Sequence, residues 1–310
     1  MSGARSEAPA TILTEAEWTG RRDRHHAAVD ALLAGHLRRR AAHETHPVHD
    51  FLFTYYNYRP SKLRFWHPGY GTILLGSATR DYRGHPHYES IVVDGERGVR
   101  VTDAVLAQRS GTVDFVHGLL AATASRPAQL GCFGLHKWAM VYRTDDNGVR
   151  HSSVPLRLGR EGTDQMVESM QLRCTHYDAF RFFTADAAPR NASALISDSR
   201  LAREQPGCLH AGMDLYKWSF KLSPLVDSDL VLECFRLASA ARELDMRASP
   251  YDLSDYGYTP VAIETAAGRA QYVREQSALT TRAAALREDL LNRCTALRAC
   301  RPDTSFATGG

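Results

Sequence analysis

The chain has 310 residues, 44% of them hydrophobic and 24% charged, with a formal net charge of +3. That balance belongs to an ordinary globular protein and falls short of the strong basic bias of an obvious nucleic-acid footprint. No apolar run approaches the ~18–20 residues that cross a bilayer, so no membrane partner is expected. Residues 1–14 lack the apolar core of a secretory signal, and six dispersed cysteines form no zinc spacing. Free thiols in a reducing cytoplasm are the corresponding expectation.

Taken in chain order, the pattern predicts a mainly α protein: one helical domain over 14–300, a disordered lead over 1–13 and a frayed tail over 301–310. Thr14-Glu-Ala-Glu17 has the form of a capping box, so a helix should start there. It should end at Arg38-Arg39-Arg40, whose charges suit the negative helix end. His46-Pro47 should open a second helix running through Tyr56, with Pro at a tolerated first position. Pro60 should start a short third one. Between Tyr70 and Val101 the period shortens, and 72–75 and 90–93 read as a minor extended element with Asp94-Gly95 as its turn. Helical pattern resumes near Thr102 and continues through 113–123 and 129–142. Residues 144–162 read as a loop and 185–205 as an exposed excursion. The strongest later helices are expected over 206–222, 225–246 and 265–299, with capping signals at Thr163 and Thr265. No Pro/Gly/Ser-rich linker divides them.

Three blocks concentrate the chemistry. They are His46-Pro-Val-His49-Asp50, Cys174-Thr-His176-Tyr177-Asp178 and His210-Ala-Gly-Met-Asp214-Leu-Tyr216-Lys217-Trp218. Positions four apart share a helix face, so His210 and Asp214 should point one way, as should His46 and Asp50. An acid/base pair and a metal half-site both need that arrangement. His176, Asp178, His210 and Asp214 are therefore the candidate catalytic residues, and the three blocks are expected to line one cavity. The stretch Leu135-His136-Lys137-Trp138 echoes Leu215-Tyr216-Lys217-Trp218, although one repeated tetrapeptide does not establish a repeat.

The segments His46 to Tyr56, Arg64 to Gly69, Gly131 to His136, Cys174 to Thr184 and Gln205 to Leu222 resemble an actinobacterial family usually labelled 3-methyladenine DNA glycosylase. The resemblance spans about 13–286. One departure is Lys137, where members of the family carry Glu. The resemblance implies a hydrolase that excises alkylated bases, with DNA as partner and no cofactor; it carries over no catalytic position. Such chemistry needs a flipped base, an aromatic sandwich and a carboxylate. Asp178 and Asp214 would supply the carboxylate, Tyr177, Tyr216, Trp138 and Trp218 the stacking, and Arg173, Arg181 and Lys217 the phosphate contacts.

The histidine content supports a second class, a metal-dependent oxygenase on a helical scaffold. Imidazoles and carboxylates from facing helices suit non-haem iron with open positions. His46, His49, Asp50, His176 and His210 are the candidate ligands, and a single His such as His210 would serve a haem. The absence of a Glu-x-x-His pair tells against the usual di-iron bundle. A non-catalytic ligand-binding module is the third class.

Overall fold

A computed structural model describes residues 10–144 and 154–301. The lead over 1–9, the tail over 302–310 and part of the 144–162 loop lie outside the described residues. The protein is mainly helical with one small sheet, as the periodicity predicts. Among the described residues, no helix is long and apolar enough to cross a membrane.

Helix α1 (Glu15–Ala41) starts at the expected box, where the Glu17 carboxylate accepts hydrogen bonds from Thr14 N at 2.9 Å and Thr14 Oγ1 at 2.8 Å. Its buried residues, Trp18, His25, Val29 and Leu33, recur at helical spacing. The Trp18 indole donates to the Leu75 carbonyl at 2.8 Å and stacks on Trp66, joining the helix to the sheet. That sheet has the order β1-β2-β4-β3, with β1 (Thr11–Leu13), β2 (Thr72–Leu75), β3 (Tyr88–Val93) and β4 (Glu96–Val101). Strands β3 and β4 form a hairpin whose turn, Asp94-Gly95, has positive φ at both residues, as a tight hairpin requires. Strand β1 corrects the disordered lead over 1–13: Ile12 pairs in parallel with Ile73, which orders the chain from Thr11 onward.

Three of the expected elements are shifted. The second helix, α2 (Phe51–Tyr55), begins well after His46 because the residues before it are tied in a turn. His46 Nδ1 accepts from Val48 N and His49 N, and Asp50 Oδ2 accepts from His46 N. Helix α3 (Pro60–Arg64) follows as predicted. After α4 (Asp103–Gln108) and α5 (Ser110–Ala124), helix α6 covers only Leu135–Ala139. Phe133 and Gly134 immediately before it both have positive φ, which breaks the pattern expected over 129–142. Helix α7 (Gly159–Ser169) takes the end of the predicted loop, and Thr163 sits inside it, donating its hydroxyl to the Gly159 carbonyl instead of capping. Residues 170–176 are non-helical and lead into the single turn of α8 (Tyr177–Phe180), which resolves the ambiguous Cys174–Asp178 block.

The excursion over 185–205 contains the short helix α9 (Arg200–Arg203), and its end, Glu204 and Gln205, is buried. Helices α10 (Leu209–Leu222), α11 (Ser228–Arg247) and α12 (Ala266–Ala299) pack on one another. Asp227 accepts from Leu230 N and Thr265 Oγ1 from Gly268 N, so both long helices carry side-chain caps. One large buried cluster draws on residues from Leu13 to Leu297, and a smaller one gathers Val48, Val141, Val154, Met246, Tyr251 and Leu253. The functional side chains sit where α6, α8, α10 and α11 meet.

Candidate metal centre

Helix α10 carries His210, Asp214 and Lys217 at helical spacing on one face, as the sequence predicts. His176, at the N-terminal edge of α8, meets that face: its Nε2 lies 3.3 Å from Asp214 Oδ2 and 3.6 Å from Glu204 Oε1. All three residues are buried. Neither ring nitrogen of His176 has a hydrogen-bond partner among the described residues, and neither has Glu204 Oε1. The other oxygen of Asp214 accepts from Tyr56 Oη at 2.9 Å. Burial opposes ionisation of Asp214, but His176, Lys217 and Tyr56 outweigh it and hold the carboxyl far below the usual range. Burial lowers the His176 pKa, and the charges of Glu204 and Asp214 more than reverse that, so it is raised overall. Burial pushes the Glu204 carboxyl up.

A second group lies alongside. His136 on α6 brings Nε2 to 2.8 Å from Asp245 Oδ1 on α11, and His210 completes the set. Neither His136 Nε2 nor Asp245 Oδ1 has a hydrogen-bond partner among the described residues, despite their proximity. Asp245 Oδ2 faces Lys137 Nζ at 3.2 Å and Arg242 Nη1 at 3.4 Å. Burial would raise the Asp245 carboxyl, but Lys137 and His136 outweigh it and hold it well below its usual range. Burial and the neighbouring His136 hold His210 neutral. The His210 ring stands between the groups, its centroid 4.5 Å from that of His136 and 5.4 Å from that of His176.

The ligand atoms within each group lie within 4.8 Å of one another, a spacing that a single cation could bridge after small side-chain shifts. A cavity of about 270 Å³ opens beside them. His136, His210, Cys132, Cys174 and Cys208 line it with Phe183, and Arg173 and Gln129 supply polar edges. Gln205 is committed to the backbone, accepting from Gln129 N and Gly207 N through Oε1.

Around the first group runs a network of ion pairs. Asp178 on α8 binds Lys217 Nζ at 2.9 Å and Arg200 Nη2 at 2.6 Å, and Lys217 also reaches Asp214 at 3.2 Å. The predicted candidates His176, Asp178, His210 and Asp214 thus come together. Lys217, expected at phosphates, pairs with carboxylates instead.

The third block touches the second group's ion pairs through the Pro47 carbonyl, which accepts from Arg242, but its side chains have other partners. Asp50 is bound by His36 at 2.9 Å and Arg39 at 2.5 Å, and His49 Nε2 contacts the Tyr258 hydroxyl at 3.0 Å. His46, His49 and Asp50 belong to neither ligand group. The predicted stackers also have other partners. The Trp138 indole is fully buried and donates to the Ala248 carbonyl. Tyr216 is buried among Tyr56, Tyr58, Phe220 and Phe235. Trp218 packs against Phe115, Lys217 and Lys221, and Tyr177 lies under Arg200. None of the four lines the cavity.

His136, Glu204 and Asp245 had no role in the sequence reading. The tetrapeptide echo was a usable signal for the first, because Lys137 and Lys217 each neutralise a buried aspartate beside a histidine. Glu204 and Asp245 had none: one ends a polar excursion and the other sits in a helix rich in charge. No family model, curated protein or solved structure matches the chain, so a functional reading rests on the chemistry of this site.

Proposed function

We propose that the protein is a non-haem metal enzyme acting on a small molecule held in the cavity, with the metal bound by His176, Glu204 and Asp214. The observation that carries this reading is the convergence of one imidazole and two carboxylates, all buried, with His176 Nε2 and Glu204 Oε1 lacking hydrogen-bond partners among the described residues. Buried polar atoms are ordinarily paired, and buried charges are paired or coordinate metals. Mixed nitrogen and oxygen donors suit a divalent transition ion such as Fe(II) or Mn(II). Asp178, Lys217 and Tyr56 would then hold Asp214 in place as its outer partners. Bound metal would supply Lewis-acid or one-electron chemistry. The chain's own residues bury the ligands, orient Asp214 and shape a cavity with mainly apolar walls.

The same geometry supports a haem enzyme and a base-excision enzyme less well. A volume of about 270 Å³ sits below the range of ordinary ligand pockets, ~300–1,000 Å³, and His210 is enclosed by two other imidazoles. A flipped base would need an aromatic sandwich, whereas the Trp and Tyr candidates have other partners and, among the described residues, Phe183 alone of Phe, Tyr and Trp lines the cavity. The test is elemental analysis of the full chain after anaerobic loading with Fe(II) and desalting, beside a Glu204→Gln variant. Wild type should retain at least one iron per chain and the variant should lose it while its circular dichroism is unchanged. A wild type that holds neither Fe(II) nor Mn(II), and shifts duplex DNA in a gel at low salt, would overturn the proposal in favour of the glycosylase.

A further inference from the structure

The cavity wall raises a question that the first group alone does not answer. None of His176, Glu204 and Asp214 lines the cavity, but His136 and His210 both do. A cation held by the first group would lie one imidazole away from the cavity, because the His210 ring that lines it stands 5.4 Å from that of His176. The second group has the reverse character. It offers two imidazoles and one carboxylate oxygen, Asp245 Oδ1, with His136 and His210 lining the cavity.

The geometry points to a second cation position at His136, His210 and Asp245, so that the centre is dinuclear and its cavity-facing ion is the one that meets substrate. This rests on the reading of His176, Glu204 and Asp214 as the first position. Three observations support it. His136 Nε2 and Asp245 Oδ1 are both buried and 2.8 Å apart, an ion-pair contact that would have to open slightly for both atoms to ligate one ion at about 2.0–2.2 Å. Asp245 Oδ2 is turned the other way, toward Lys137 and Arg242, which orients the carboxylate as outer partners orient a ligand. His210 lies between His136 and His176, which makes the two positions neighbours.

Charge sets the order of filling. The first position offers two carboxylates, whereas the second offers one that already faces two cationic side chains. The second ion should therefore bind at least tenfold more weakly. With three protein ligands it keeps open coordination positions on the cavity side. The substrate class this selects is a small, mostly apolar molecule with an oxygen donor, a carboxylate or hydroxyl, that can reach the ion while Arg173 stands at the cavity's polar edge.

The experiment is a Mn(II) titration of the metal-stripped full chain, with bound ion measured by equilibrium dialysis and by electron paramagnetic resonance. Wild type should bind two Mn(II) in two steps, with spin coupling appearing as the second site fills. His136→Gln should keep the tighter ion and lose the weaker one, and Glu204→Gln should lose the tighter one. The wild-type spectrum needs no variant to fold, so the coupling tests the proposal by itself. One Mn(II) in wild type, unchanged by His136→Gln and lost with Glu204→Gln, would overturn the second position and leave the first standing. No bound Mn(II) in wild type would overturn both. Two uncoupled ions in wild type, both retained by His136→Gln, would overturn the dinuclear assignment.

Discussion

Replacing Asp245 by Asn probes the buried charge network beneath the site. The carboxylate is fully buried, with His136 at 2.8 Å, Lys137 at 3.2 Å and Arg242 at 3.4 Å. Lys137 and Arg242 are themselves buried. Removing one partner of a buried pair costs about 3–5 kcal/mol, because the remaining charge stays desolvated. Arg242 keeps its bond to the Pro47 carbonyl and its place over the Phe51 ring, and Lys137 also lies near that ring. These contacts place the expected loss at the lower end, about 3 kcal/mol, a large part of a typical stability of about 5–15 kcal/mol. An unfolding entropy of about 2.1 cal/mol/K per residue converts this to a fall in Tm of roughly 5 °C for a chain of this length. Thermal and urea unfolding in a chelator, followed by circular dichroism, measure it with only the protein's own charges in play. Adding Lys137→Met should restore part of the loss by removing one orphaned cation. A loss below about 1 kcal/mol, or no recovery in the double variant, would refute the account of the network.

Further outcomes test other parts of the structure. His67 is buried and its pKa is lowered to about 3, first by burial and then by His85 and His87. The unfolded chain takes up a proton near pH 6.5 that the folded chain refuses, so this contribution to stability is complete above pH 6.5. It should then fall by about 1.4 kcal/mol per pH unit as pH drops toward 3; urea midpoints from pH 7 to 5 should decline less steeply in His67→Phe. Gly268→Ala would normally favour a helix, but here a Cβ would lie 1.9 Å from the Ala262 carbonyl oxygen. The substitution should destabilise the chain by about 1–3 kcal/mol, and a higher Tm would contradict the packing of α12 on that segment. Arg200→Ala should free the excursion that delivers Glu204, because its guanidinium ties α9 to Asp178. Faster amide exchange over 196–205 and weaker Mn(II) binding are expected; unchanged exchange would show that Glu204 is held by other contacts.

The long helices were legible in the sequence, α1, α11 and α12 from apolar stripes and α10 from a run buried nearly all round, and all four appear close to their predicted ranges. Boundaries set by single backbone conformations were not. Phe133 and Gly134 in left-handed geometry cut α6 short, and the hydrogen bonds around His46 postpone α2. In the site, the face of α10 was readable from the spacing of His210 and Asp214, and the Cys174–Asp178 block from its density of polar groups. His46, His49 and Asp50 do not line the cavity, and Asp50 is committed to His36 and Arg39. His36 and Arg39 lie on α1, and the sequence does not reveal that this helix would return to meet Asp50. Glu204 and Asp245 were invisible for the same reason: their partners are distant in sequence, and only the packing of α6, α8, α10 and α11 gives them a role.

The central claim, that His176, Glu204 and Asp214 hold a metal ion, is tested most directly by a crystal structure of the full chain grown with Mn(II) and recorded for anomalous scattering. An anomalous peak within coordination distance of His176 Nε2, Glu204 and Asp214, lost in Glu204→Gln crystals, is the predicted result. A well-ordered wild-type site with no anomalous peak, and a water or a direct hydrogen bond joining those three side chains, would contradict it.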